Sequence, residues 1–130
     1  MAIEKQKRDA ETVAPNQKTW PLPQGFPVVL GDGKAYFFAC ASANGPAKAL
    51  MDKLDQTQSL DEKYSRGDTK VSEYARSMEE LAYAALALQY NDETVGALGD
   101  IGAISMAHYP EILAAIVGQG PGYDVICKKK

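Results

Sequence analysis

One segment constrains this chain more than any other. Between Val71 and Gln89, apolar residues recur at i, i+3, i+4 and i+7, at Val71, Tyr74, Ala75, Met78, Leu81, Ala82, Ala85 and Leu88, which predicts a single long helix. Its first half is amphipathic, with Glu73, Arg76, Glu79 and Glu80 on the polar side. From Leu81 the run LAYAALAL makes it apolar all round, and Tyr83, Leu86 and Tyr90 form a second stripe. A helix apolar on both sides must be covered on both sides. Either it is the central core helix, or one of its faces meets a partner. Periodicity leaves both readings open.

The rest of the chain must supply that cover. Its 130 residues allow one domain with one continuous core. Pro27 to Leu30 and Lys34 to Phe38 are rich in β-branched and aromatic residues, and Gly31-Asp32-Gly33 lies between them. Asp32-Gly33 predicts a hairpin turn in which both positions take positive φ. Two strands alone are marginal in water, so the hairpin must pack on helices or pair again, and its free edge is a candidate contact for a neighbouring subunit. Asn44-Gly45-Pro46 opens a helix that carries Ala47, Leu50, Met51 and Leu54 to about Gln56. Residues 57–70 are polar and end in Arg66-Gly67-Asp68, read as a turn with Asp68 or Thr69 capping the long helix.

After Tyr90, Asn91-Asp92-Glu93-Thr94 caps a short helix to about Leu98, Ile101 to Met106 form another short piece, and Tyr109-Pro110-Glu111 begins a last helix. That helix carries Ile112, Leu113, Ile116 and Val117, and the GQGPG stretch at 118–122 stops it. The expected fold is therefore mainly α with a small N-terminal β-hairpin (α+β), a compact bundle of about four to five helices. Residues 1–25 read as a flexible N-terminal arm, 26–122 as a single globular domain and 123–130 as a short C-terminal tail. Trp20-Pro21-Leu22-Pro23 reads as an extended tether for the arm.

Charge narrows the function classes. The net charge is −3, yet no Lys or Arg occurs between Arg76 and Lys128, while Glu79, Glu80, Asp92, Glu93, Asp100, Glu111 and Asp124 fall in that stretch. A basic surface for nucleic acid is missing, and Lys128-Lys129-Lys130 is only a three-residue tip. No apolar run reaches the roughly 20 residues that span a bilayer, and no secretory h-region follows the charged start. A cytosolic protein is expected, and with it Cys40 and Cys127 as reduced thiols.

Chemistry is sparse. The single histidine, His108, stands at a helix junction, and neither cysteine has a second Cys or His at ligand spacing, so no metal is expected. The glycines of GQGPG close a helix where a phosphate loop would open one. Glu79-Glu80 and Asp92-Glu93 are adjacent pairs that point to different faces, unlike an acid–base pair. The expectation is a protein without cofactors that is not an enzyme.

The order of features carries a resemblance. A hairpin with V-L-x-D-G-K-x-Y-x-F (Val29 to Phe38) precedes a helix. Then come a long helix with M-E-E-L-A-Y-A-A-L (Met78 to Leu86), an N-D-E-T-V-G-A-L-G-D step (Asn91 to Asp100) and a last helix around Glu111-Ile112. Over roughly residues 26–120 this resembles the small tail assembly chaperones of long-tailed bacteriophages. It departs from them at Asn91-Asp92, where that family more usually has Asp-Pro, and in residues 1–25.

The resemblance implies a non-catalytic protein of the host cytoplasm that binds the tape-measure protein, keeps it soluble during tail assembly, and self-associates. It also implies a longer frameshifted form of the chain, to which the codons of Lys128 to Lys130 would be relevant. On this reading Leu81, Tyr83, Leu86, Tyr90, Ile112 and Ile116 form the partner groove or the oligomer interface. The alternative is a head–tail connector or tail-completion subunit that uses the hairpin edge for permanent ring contacts.

Overall fold

The computed structural model describes residues 11–14, 26–41 and 45–117. The hairpin forms as its sequence requires, from β2 (Phe26–Val29) and β3 (Lys34–Phe38), antiparallel with Val28 opposite Tyr36. Its turn differs from the expected two-residue form. The Leu30 and Lys34 backbones are joined by a hydrogen bond, leaving three loop residues, and only Gly33 takes positive φ, at 82°. This is a tight turn followed by a left-handed glycine. Asp32 keeps ordinary backbone angles and uses its carboxylate instead: Oδ1 accepts from the Lys34 N–H at 3.0 Å and Oδ2 from the Tyr36 hydroxyl at 2.5 Å.

A third strand comes from the segment read as an arm. β1 (Glu11–Thr12) pairs in parallel with β3, giving the order β1-β3-β2, and the Val13 N–H adds a bond to the Ala35 carbonyl. Residues 11–14 thus belong to the domain, a correction to the boundary at residue 25. Two residues of Glu-Thr carry no strand pattern, so only the partner strand could reveal the pairing. The Trp20–Pro23 tether lies outside the described residues.

A 3-10 turn (Gly45–Ala49) leads into α1 (Leu50–Ser65), which runs nine residues beyond the predicted end. Polar residues continue it because its inner side stays occupied: Leu50, Leu54 and Thr57 are buried and Leu60 is half-buried. Gly67, at φ 78°, ends it, with its N–H bonded to the Tyr64 carbonyl and that of Asp68 to the Lys63 carbonyl. The Arg66-Gly67-Asp68 segment is therefore a helix stop. Neither Asp68 nor Thr69 caps the next helix. Lys70 holds the cap position without a side-chain bond, and the Thr69 hydroxyl donates to Glu73.

α2 (Val71–Gln89) matches the predicted limits and touches α1, β3 and the two later helices. Those are α3 (Asp92–Asp100) and α4 (Tyr109–Val117). Asn91 caps α3 as expected, its side chain accepting from the Thr94 N–H at 2.8 Å. Residues 101–105 form no helix. Gly102 turns at positive φ, Ala103 and Ile104 are buried, and a 3-10 turn (Met106–His108) enters α4. The Gly31 N–H bonds to the Ala103 carbonyl at 2.8 Å, and a Cβ at Gly31 would stand 3.0 Å from that oxygen. The close approach requires glycine there. The architecture is α+β, four helices packed with a small sheet. The helix stop at 118–122 and the tail at 123–130 lie outside the described residues.

Candidate functional site

The six residues expected to meet a partner are the natural place to look for one. The structure brings them together, but inside the chain. Leu81, Leu86, Ile112 and Ile116 are completely buried and Tyr90 is nearly so, all in one cluster with Met78, Phe38 and Leu50. Of the six, only Tyr83 reaches the surface, half-buried at the margin of that cluster. The groove expected from the sequence is thus corrected to a core. The sheet packs against α2 on one side and α1, α3 and α4 on others, while Glu79, Glu80, Ala84 and Ala87 stay exposed. Of the two readings left open for this helix, the central core helix is the one formed.

Tyr90 shows why a buried aromatic at the end of α2 is needed. β1 is too short to cover the outer edge of β3, and Phe37 lies just beyond its reach. The Phe37 N–H donates to the Tyr90 hydroxyl at 2.8 Å, and that hydroxyl donates to the Val13 carbonyl at 3.0 Å. Gln89, completely buried, donates from Nε2 to the Phe37 carbonyl at 2.9 Å. Two consecutive side chains therefore pair both backbone groups of one strand residue, which would otherwise be orphaned. Tyr36 meets the Tyr90 ring edge-on, with centroids 5.5 Å apart. Burial pushes the Tyr90 phenol up to about 12, against the pull of the Phe37 N–H. The spacing of Gln89 and Tyr90 gave no hint of this role, because Gln89 sits in an apolar stretch with no visible partner.

A tyrosine ladder crosses the other end of the bundle. Tyr64 stacks on Tyr74 at 4.9 Å, and Tyr74 meets Tyr109 edge-on at 5.7 Å. The Tyr109 hydroxyl is 3.5 Å from the Glu79 carboxylate, and burial together with that charge raises its phenol to about 12. Burial chiefly, and then Asp61, holds the Tyr74 phenol above its ordinary range. Raised phenols are poor proton donors at neutral pH, so the ladder is built for packing.

Between α1 and α2 a surface hollow of about 340 Å³ is lined by Gln56, Leu60, Lys63, Arg76 and Glu80. Glu80 is engaged by Lys53 at 2.6 Å, which lowers its carboxyl below the usual range, and both side chains are partly exposed. Charges of both signs line this seam without converging on a point. His108 accepts from the Ser105 N–H at Nδ1, 3.0 Å away, and so acts as a cap for the turn before α4. Among the described residues no group of three His, Cys, Asp or Glu side chains is placed to hold a metal. No helix among them is long and apolar enough to cross a membrane.

The apolar side chains left on the surface lie elsewhere. Ile101 is 62% exposed and Met106 43%, both on the connection between α3 and α4. Val71 and Tyr64 are exposed where α1 meets α2. Cys40, two residues beyond β3, is disulfide-bonded, which corrects the expectation of a reduced thiol. No known protein family, curated protein or solved structure matches this chain. Function must be argued from the molecule itself.

Proposed function

We propose that this chain is a tail assembly chaperone of a long-tailed bacteriophage, a non-catalytic protein that binds the tape-measure protein in the host cytoplasm and keeps it soluble, acting as an oligomer. The observation that supports this reading is the order of elements. A hairpin carrying Asp32-Gly33-Lys34 leads through α1 to the long α2, then to the Asn91-capped α3 and the apolar α4. That is the sequence of elements on which the resemblance rests.

The contact surface moves with the fold. Leu81, Leu86, Ile112 and Ile116 are committed to the core, so the proposed contacts are Ile101 and Met106. They lie on the connection that follows α3, where Ile101 adjoins the exposed Asp100. A long apolar helix of the partner would cover Ile101 and Met106 and leave Asp100 in water. In the order β1-β3-β2 the β3 edge of the hairpin is occupied by β1, Gln89 and Tyr90, so the connector alternative would have to use the β2 edge.

The test is co-expression with the tape-measure protein encoded by the same phage. More of that protein is expected in the soluble fraction with this chain than without it, and less of the gain with the Ile101→Ser, Met106→Ser double variant. Equal solubility with and without the chain overturns the proposal. Finding the chain as a stoichiometric part of finished particles would favour the connector instead.

A further inference from the structure

The outer side of α3 has a composition that the chain's own packing does not explain. Glu93, Gly96, Ala97 and Asp100 recur at i, i+3, i+4 and i+7, so they share one helix face, and all four are exposed. Ile101, at the end of the helix, follows at i+8 and is 62% exposed. Gly96 lies inside the helix, where glycine is destabilising relative to alanine. A Cβ there would meet nothing within 4 Å, so no neighbour in the fold demands glycine.

The charge on this side is of one sign. From Ser77 to Val117 the chain has six acids, all exposed, and no Lys or Arg. No ion pair among the described residues engages Glu93 or Asp100. We propose that the outer face of α3 and the adjoining Ile101 seat a partner helix of one kind, an apolar stripe edged with Lys or Arg. The proposal deepens the chaperone reading and rests on it for the partner's origin, a segment of the tape-measure protein.

Each feature has a part in that contact. Ile101, with Met106 further along the same connection, offers apolar surface, and Gly96 and Ala97 let the partner's backbone come close. Glu93 and Asp100 attract a cationic edge and repel an acidic one. Nucleic acid and an anionic membrane surface meet the same repulsion. The contact is small. The nine residues of α3 make about 14 Å of helix, which suits weak and reversible binding with Kd on the order of micromolar. A chaperone that must later give up its partner needs that reversibility. Because the acids stay at a wet rim, they act on the rate of encounter, whereas Ile101 acts on the lifetime of the complex.

The experiment uses the full chain and three helical peptides that share one leucine stripe, edged with Lys, Gln or Glu. The Lys-edged peptide should bind roughly tenfold tighter than the Glu-edged one, a difference that should shrink as salt rises from about 50 to about 500 mM. Glu93→Gln with Asp100→Asn should slow its association about fivefold and leave dissociation nearly unchanged. Ile101→Ser should instead speed dissociation roughly tenfold. Gly96→Ala should raise the melting temperature by about 2 °C or more and yet weaken binding, a combination foreign to a purely structural glycine. Asp52→Asn with Asp55→Asn, exposed on α1, is the control for overall charge and should leave binding unmoved.

No binding by the Lys-edged peptide, equal affinity for all three, or loss on the α1 pair in place of the α3 pair overturns the proposal. Gly96→Ala that stabilises the chain and leaves binding unchanged overturns the close approach. The chaperone reading fails separately, by co-expression. Tape-measure solubility gained through Ile101 and Met106 but indifferent to Glu93→Gln with Asp100→Asn would keep that reading and sink this one.

Discussion

The C-terminal end of α2 and its outer seam with α1 use polar groups in opposite ways. At the C-terminal end Gln89 and Tyr90 are buried, and the Gln89 Nε2 and the Tyr90 hydroxyl meet backbone groups of Phe37 and Val13 within 3.0 Å. Along the outer seam with α1, Lys63, Arg76 and Glu80 line an open hollow, and the Lys53–Glu80 ion pair at 2.6 Å is partly exposed. Away from water an unmade bond costs the full desolvation of the group, whereas in water a made one gains little. The C-terminal end therefore fixes the fold, and the seam leaves surface chemistry free to vary.

That contrast can be broken at several points. The largest effect should come from the core that both regions border. Leu81→Ala removes a completely buried side chain and should cost about 3 kcal/mol, read as a lower urea midpoint with unchanged slope. Next is Tyr90→Phe, which strands the Phe37 N–H and the Val13 carbonyl at constant shape. It should cost about 2 kcal/mol and speed amide exchange at Phe37.

The same tyrosine predicts a pH effect. Its phenol titrates near 12 in the folded chain and near 10 unfolded, so the folded state favours the protonated form. That contribution is complete below pH 10 and is lost as the pH rises from 10 toward 12. Denaturation midpoints should fall over that window in the wild type, and fall less in Tyr90→Phe. An equal fall in both would remove Tyr90 as the cause.

Smaller effects follow. Asn91→Ala deletes the cap of α3 and should cost about 1 kcal/mol in the same denaturation assay. Lys53→Ala on the open seam should change stability by less than about 0.5 kcal/mol, and that little should vanish in 1 M salt. If Lys53→Ala matched Tyr90→Phe in size, the contrast between the C-terminal end of α2 and its seam with α1 would be lost.

Much of the fold could be read from local pattern. The limits of α2, the hairpin, the Asn91 cap and the start of α4 depend on residues close in sequence, through side-chain period, turn glycines and capping oxygens. The extension of α1 to Ser65 was hidden, because Thr57 and Ser77 look like surface residues until their hydroxyls meet 2.7 Å apart in the interior. The candidate contact residues were legible as apolar but not as core.

Sequence by itself determined that the apolar stripe of α2 must be covered, since an apolar helix face in water costs free energy whatever surrounds it. Tertiary structure alone decided what covers it. Hydrophobic burial is non-directional, so the pattern demands a partner without naming one, and here the chain's own sheet, α1 and α4 supply it. The pairing of Glu11–Thr12 with β3 and the closing of that edge by Tyr90 likewise join residues distant in sequence. Only folding brings them within bonding range.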